Sequence, residues 1–287
     1  MEFKRKWPLL IPATFAVSWA AIIIKACDAP ATAIAFYRML FAVALLFPFA
    51  VTYYRKSFRE FTVKIFSAAV LAGFVLGWHL FFWIESLNHT SISSSVVLVT
   101  TQPIFVAILT GMFLKEKAGL KGIVAITMAI IGTILVAGFD FRLEKDYLWG
   151  DILALLGALM AAGYLFTGRV VGTRVSIFPY IFTVYGASAL TLGVIMLITG
   201  QLFQGYAPIN YFYFFLLAAI PTLIGHSLYN YIIRHIKAFK VGLSIAGEPV
   251  LASIWAILIF AEYPSTGTII GGFLIIASLI LVFTEKG

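Results

Sequence analysis

Two histidines occupy matching places in the two halves of this 287-residue chain and are well suited to chemistry. His79 precedes Pro103 by 24 residues, and His226 precedes Pro249 by 23. Imidazole titrates near neutral pH and carries both a donor and an acceptor. A single helical histidine is commonly a packing residue, whereas a matched pair favours a role in binding.

Each histidine shares a helix face with other polar or aromatic side chains, because residues three and four apart lie on one face. Trp83 shares the face of His79, while Tyr229 and Asn230 share the face of His226. Two such faces are typical of a central cavity that binds a substrate. The complete set of candidate substrate-binding residues is His79, Trp83, Trp19, Gln102, Tyr164, His226, Tyr229 and Asn230.

Two charged residues lie within apolar stretches, where an unpaired charge is costly. Glu248 either carries a coupling proton, anchors a substrate amine or forms a structural hydrogen bond beside Pro249. Arg38 either holds a substrate carboxylate or ties its helix to a neighbour. Tyr185 matches Arg38 by the repeat offset, so no second cation completes a symmetric anion site. Glu248 and Arg38 are therefore candidates for either a coupling or a structural role.

Motifs for other chemistries are missing from the sequence. It contains no phosphate-binding glycine loop, no HExxH motif and no nucleophile elbow. Cys27 is the single cysteine, which excludes an internal disulfide and a cysteine-built metal site. We therefore predict no catalytic residue, no metal site and no cofactor, and a protein that is not an enzyme.

The elements that position these residues must be membrane helices. The chain is 62% hydrophobic and only 11% charged, whereas a soluble domain is about a quarter charged. A span needs roughly 20 apolar residues. The apolar runs predict an all-α polytopic membrane protein with ten transmembrane helices near 8–25, 30–53, 62–85, 91–114, 119–138, 148–168, 177–200, 210–233, 240–261 and 266–284.

The basic residues predict the orientation of these helices. Most of the 20 Lys and Arg residues fall in loops on one side, and only Lys25, Arg142 and Lys145 fall in loops on the other. Positive loops face the cytoplasm. Both termini are therefore predicted to be cytoplasmic, and the positive net charge reflects topology rather than binding to nucleic acid.

The spacing between proline and glutamate is also repeated. Pro103 precedes Glu116 by 13 residues, and Pro249 precedes Glu262 by the same 13. A unit of five spans enters the membrane from opposite sides in its two copies. We therefore predict two inverted five-helix repeats, 1–140 and 141–287, within one integral membrane domain. Inverted repeats are typical of secondary transporters.

These residues resemble those of the drug/metabolite transporter superfamily, in its ten-helix EamA-like branch. The resemblance covers the whole chain and is carried by Arg38, the Glu248-Pro249 pair and the spacings that end at Glu116 and Glu262. The Trp-Gly pair of the family's first helix is Trp19-Ala20 here, which weakens the case for close helix approach at that point. The Lys-Thr pair of the sugar-phosphate branch is missing from 244–249, which disfavours a phosphorylated substrate.

The resemblance implies a secondary active transporter that exports small organic metabolites, amino acids or drug-like compounds, by alternating access. We expect a cavity lined by helices 1, 3, 4, 6, 8 and 9. The expected partners are a small-molecule substrate, the lipid bilayer and protons, and the expected form is a monomer in a prokaryotic inner (plasma) membrane. Two alternatives stay open: a membrane-embedded enzyme acting on a lipid-like substrate, and a passive channel.

Overall fold

The computed structural model describes residues 6–90, 95, 98–116, 118–137, 145–201, 204–260 and 266–283, and within these ranges the chain forms helices and no strands. Short 3₁₀ turns precede the first helix at Trp7–Leu9 and the third at Ser57–Glu60. The helices are α1 (Leu10–Lys25), α2 (Ala31–Thr52), α3 (Val63–Ser86), α4 (Gln102–Leu114), α5 (Gly119–Ala137), α6 (Lys145–Val171), α7 (Ile177–Ile198), α8 (Pro208–Ile233), α9 (Ala238–Ile245), α10 (Glu248–Phe260) and α11 (Thr266–Phe283).

Six of the described helical segments are long and apolar enough to cross a membrane, namely α1 together with the turn before it (Trp7–Lys25), α2, α3, α6, α7 and α8. Shorter apolar helices include Gln102–Leu114, Gly119–Leu135 and Ile269–Val282. Large apolar side chains on the outer surface are exposed, among them Ile198, which is 79% exposed. A membrane supplies the apolar surroundings that such a surface requires.

The predicted ninth helix, 240–261, is wrong in one respect, because the structure divides it. α9 ends at Ile245, and α10 begins at Glu248 after a turn at Ala246 and Gly247. Proline has no backbone N–H and therefore fits the first turn of a helix, and Pro249 occupies such a position. Glu248 thus lies at the start of a helix rather than eight residues inside one.

The predicted fourth helix is divided in the same way. Thr100 and Thr101 form a turn, and α4 begins at Gln102 with Pro103 in its first turn. Much of the earlier part of the predicted span 91–114 lies outside the described residues, as does Glu262. Gln102-Pro103 and Glu248-Pro249 therefore each open a helix after a break.

The helices pack in a recurring set of pairs. α3 packs against α6 and α7, α1 packs against α8 and α10, and α5 packs against α11. Glycines allow the closest approaches: a Cβ on Gly73 would lie 2.2 Å from the carbonyl oxygen of Val184 in α7. In α8, a Cβ on Gly225 would lie 2.4 Å from Val17 of α1. Small residues therefore bring both histidine-bearing helices tightly against their neighbours.

The middle of α8 is a π-helix over Ala218–His226, with Pro221 inside it. Proline removes one backbone donor and disturbs the hydrogen bonds of the preceding turn. The hydroxyl of Thr222 donates a hydrogen bond to the carbonyl of Leu217, five residues earlier, at 2.9 Å. This wide turn carries Thr222 and His226 towards the interior, and π-helical turns are frequent at functional sites.

Candidate functional site

A cavity of about 50 Å³ lies at the centre of the helices and is bordered by α1, α2, α3, α4, α6, α8, α9 and α10. It is larger than the space for one water molecule, which is roughly 10–15 Å³. Eight of the ten residues predicted from the sequence line it: Arg38, His79, Trp83, Gln102, Tyr164, His226, Tyr229 and Glu248. Each of the six predicted helices that were expected to line the cavity contributes residues to it, and α2 contributes Arg38 in addition.

The guanidinium of Arg38 is the buried cation of the cavity. Its Nε donates a hydrogen bond to the hydroxyl of Thr222 at 2.7 Å. Its Nη1 and Nη2 are buried and have no hydrogen-bond partner among the described residues. Buried polar atoms nearly always have partners, so these two donors require a ligand or water in the working protein.

Tyr185 reaches the same threonine from α7. Its hydroxyl donates to the carbonyl of Thr222 at 3.3 Å and lies 3.0 Å from the hydroxyl of Ser227. The two residues matched by the repeat offset, Arg38 and Tyr185, therefore meet on one residue of the π-helix. Thr222 thereby holds the Nε side of the Arg38 guanidinium, and the two terminal nitrogens remain available to a ligand.

The two histidines differ in their hydrogen bonding. Nδ1 of His79 lies 2.9 Å from the carbonyl oxygen of Gly157 on α6. A carbonyl only accepts, so Nδ1 carries the proton when this bond is made and Nε2 is then an acceptor in the neutral ring. Nδ1 of His226 is buried without a partner among the described residues.

Hydroxyl groups hold the aromatic side of the cavity. The hydroxyls of Tyr229 and Thr14 lie 2.9 Å apart, and Thr14 also bonds the carbonyl of Ser244 at 3.2 Å. Tyr164 is hydrogen-bonded to Asn230. These bonds join α1, α6, α8 and α9 around the cavity and hold both tyrosine rings in place.

Gln102 and Glu248 border the cavity from the first residues of α4 and α10. Glu248 is half-buried, and none of the described residues forms a hydrogen bond or ion pair with its carboxylate. It shares the cavity with Arg38 but is not in ion-pair contact with it. A carboxylate and a guanidinium thus stand in one small cavity without neutralising each other directly.

Two predicted residues lie outside the cavity lining. Trp19 stacks on Trp255 of α10, with ring centroids 4.5 Å apart. It precedes the lining residue Ala20 by one position, about 100° around the helix, and so points to another face. Asn230 is turned away from Tyr229 for the same reason and donates to Tyr164 and to the carbonyl of His226. Asn230 therefore positions cavity residues instead of lining the cavity.

The hydrogen-bonding roles of Thr14 and Gly157 were not predicted from the sequence. Thr14 lies in an apolar stretch, and its hydroxyl also bonds the carbonyl of Leu10, which is common for helical threonine. Gly157 acts through its backbone carbonyl, which leaves no signal in the side-chain pattern. Thr222 did carry a signal, because it lies four residues before His226.

Charged side chains join the ends of neighbouring helices on the side of the cavity beyond Asn230. Nε of Arg169 donates to Glu116 at 2.7 Å, and Nη1 donates to the carbonyl of Ile233 at 3.2 Å. Arg234 stacks over the ring of Tyr180 at 4.6 Å from its centroid. This end of the bundle is therefore joined through α4, α6, α7 and α8.

Comparisons with known proteins agree with this architecture. Two stretches, residues 7–138 and 148–284, each match the model of the EamA-like transporter family. The uncharacterized transporter YdfC of Bacillus subtilis (strain 168) is 26% identical over 260 residues, covering 88% of this chain and 81% of that protein. A solved crystal structure aligns with a TM-score of 0.79 over 96% of this chain and 95% of its own, at 14% identity, which supports the fold alone.

Other relatives have names that state a substrate. The S-adenosylmethionine uptake transporter of Rickettsia bellii (strain RML369-C) is 25% identical over 263 residues, covering 88% of this chain and 84% of that protein. Probable purine permease 4 of Arabidopsis thaliana is 28% identical over 135 residues, covering 44% of this chain and 35% of that protein. The family matches span both halves, and the resemblance predicted from Arg38 and Glu248-Pro249 is confirmed. The chain belongs to the EamA-like transporter family.

Proposed function

We propose that this protein is a secondary active transporter that moves small organic metabolites, amino acids or drug-like compounds, outward across a prokaryotic inner membrane. The observation that carries the proposal is the central cavity, where two donors of Arg38 are buried without partners among the described residues. These donors suit an acceptor group such as a carboxylate. Aromatic rings beside them suit the apolar body of a metabolite.

The size of the cavity supports alternating access. At about 50 Å³ it holds water but not a metabolite, since pockets for organic ligands have roughly 300–1,000 Å³. Substrate must therefore enter a more open arrangement of the same helices. A passive channel would instead need a continuous polar path.

Ten spans in two inverted repeats, 1–140 and 141–287, would provide two such arrangements. The separate family matches to 7–138 and 148–284 support the repeat. So do the breaks before Gln102-Pro103 and Glu248-Pro249, and the packing of α3 on α6 and α1 on α8. We place both termini in the cytoplasm on the distribution of Lys and Arg and propose that the monomer is the working unit.

Reconstitution into liposomes tests the function. Counterflow is measured for a panel of amino acids, adenine and S-adenosylmethionine, with gradients imposed in both directions. Adenine and S-adenosylmethionine are included because two relatives are named for purines and for S-adenosylmethionine. Counterflow of one class of compound would support transport through the cavity if Arg38→Ala abolishes it and the exposed control Arg55→Ala keeps it. Equal counterflow in both variants would show that the substrate binds outside this cavity.

A further inference from the structure

A second chamber lies beside the central cavity, and we call it the vestibule. It encloses about 220 Å³ between the ends of α1, α2 and α3 and is bordered by Ile24, Lys25, Cys27, Ile34, Ile84 and Asn88 as well as Trp83. Of the described residues, Trp83 alone borders both chambers. Trp83 therefore lies between the two chambers.

Ring stacking holds the indole of Trp83 in place. Its ring is stacked on the imidazole of His79, with centroids 6.2 Å apart and planes 5° apart. The indole Nε1 is buried without a hydrogen-bond partner among the described residues. Buried tryptophans usually have a partner for this N–H. Rotating the side chain would therefore break no hydrogen bond of the indole to the described residues.

The opposite side of the cavity is built differently. The position on α8 that matches Trp83, four residues after the histidine, is Asn230. Asn230 is hydrogen-bonded to Tyr164 and to the carbonyl of His226. Behind it lie the stacked Arg234 and the Arg169–Glu116 ion pair. Among the described residues, a hydrogen-bonded network thus borders one side of the cavity, and an indole without a hydrogen bond borders the other.

We propose that the vestibule and the central cavity are two halves of one substrate site and that Trp83 sets the size of the molecule that occupies both. This inference rests on the proposed transport function. With the indole rotated, the joined space approaches the roughly 300 Å³ at which organic ligands are held. Trp83 is in this arrangement a specificity-determining residue.

The lining of the two halves indicates the chemical class of the ligand. The vestibule is bordered by aliphatic side chains, with Lys25 and Asn88 among the polar ones. The central cavity holds the two terminal nitrogens of Arg38, which have no partner among the described residues. The joined site therefore fits an organic molecule whose acceptor group meets Arg38 and whose apolar body extends past Trp83 into the vestibule.

The single native cysteine provides a direct readout. Cys27 borders the vestibule, so alkylation by a polar maleimide reports its occupancy in the purified full-length protein. Leucine, phenylalanine, tryptophan, adenine and S-adenosylmethionine are tested as protecting compounds. The compound with counterflow is expected to slow alkylation of wild type at least fivefold. Unchanged alkylation at saturating concentrations of that compound would overturn the inference.

Substitution of Trp83 tests its role in size selection. Trp83→Ala should raise counterflow of the bulkier panel members relative to leucine about tenfold, and Trp83→Phe should give an intermediate ratio. Trp78→Ala is the matched control, because Trp78 lies on the same helix, packs on Phe74, Phe81 and Phe82, and borders neither chamber. Equal ratios in the wild type and both Trp83 variants would overturn the role of Trp83.

The two proposals fail in different ways. Counterflow in wild type without protection of Cys27 leaves transport standing and removes the vestibule from the site. Protection of Cys27 without counterflow supports the joined binding site and contradicts transport. Absence of both contradicts both proposals. If Trp83→Ala does not fold, as judged by gel filtration, the Trp83→Phe ratio and the wild-type alkylation decide the outcome.

Discussion

Arg38 of α2 donates a hydrogen bond from Nε to the hydroxyl of Thr222 in the π-helix of α8, at 2.7 Å. This contact uses one of the five guanidinium N–H groups and leaves the two terminal nitrogens buried and unpartnered among the described residues. The arginine is thus fixed on one side and available on the other.

Lysine cannot reproduce this arrangement, because its ammonium is a single point of charge. Arg38→Lys should lower counterflow about 10- to 100-fold, since a hydrogen bond to a charged group contributes about 1.5–3 kcal/mol. The positive charge stays, so the thermal midpoint in detergent should fall by only a few degrees. Arg55→Lys, at an exposed loop position, serves as the control. Full activity of Arg38→Lys would show that charge alone suffices.

The two histidines should contribute unequally to stability. His79→Ala removes the bond to Gly157 and should cost about 1 kcal/mol more than the loss of packing alone. His226→Ala removes an imidazole whose Nδ1 meets no hydrogen-bond partner in the part of the chain that the structure describes, so the thermal midpoint of this variant should stay closer to that of wild type. Differential scanning fluorimetry of both variants in one detergent compares them. A larger loss in His226→Ala would contradict the bonding described.

Substitution of Glu248 by glutamine distinguishes a proton-coupling role of this residue from a structural one. If it carries the coupling proton, Glu248→Gln should fold, keep counterflow and lose accumulation driven by a pH gradient. Accumulation is measured with and without the gradient, and Glu60→Gln, at an exposed position, is the control. Accumulation that persists in Glu248→Gln would restrict this carboxylate to a structural role.

Gly73 is predicted to tolerate no side chain. A methyl group there would meet the carbonyl of Val184 at 2.2 Å, so Gly73→Ala must separate α3 from α7. Overpacking of this kind costs about 1–3 kcal/mol. Gly186→Ala on α7 is the control, because a methyl group there meets nothing within 4 Å. Gly73→Ala should therefore unfold at a lower temperature than Gly186→Ala. Equal thermal midpoints of the two variants would contradict the close packing of α3 on α7.

Alkylation of Cys27 should depend on pH in an unusual range. Burial raises the pKa of this thiol to about 11, whereas an ordinary cysteine has a pKa of about 8.5. A raised pKa means less thiolate at any given pH, and thiolate is the nucleophile. The alkylation rate should therefore keep rising between pH 8 and pH 10, where that of glutathione levels off. A plateau near pH 9 would indicate an exposed thiol.

The helices were predictable because a membrane makes every span a long apolar run. The bounds of α1, α2 and α3 agree with the predicted spans to within two residues. The break before Glu248 was not predicted, because the sequence at Ala246-Gly247 is as apolar as a helix interior. Only the proline indicated it, and a proline inside a span can equally bend a continuous helix.

The cavity was predictable to the extent that it follows helical periodicity. His79 and Trp83 lie four residues apart and both line it, as do His226 and Tyr229, three apart. Trp19 does not line the cavity, because which of two adjacent faces of α1 points inward depends on which helix covers each face. The partners Thr14 and Gly157 depend on contacts between distant segments, which spacing along one helix does not encode.

The breaks in the fourth and ninth predicted spans affect the charge of the molecules that the cavity favours. Gln102 and Glu248 are the first residues of α4 and α10, and both border the cavity, so the amino ends of two backbone dipoles meet there. Each end is equivalent to about half a positive charge. The two ends together contribute about one positive charge, and an ionised Glu248, the one carboxylate among the described lining residues, offsets it. Arg38 then leaves the cavity with a net positive charge. Neutralising Glu248 would shift the preference of the whole cavity towards anions.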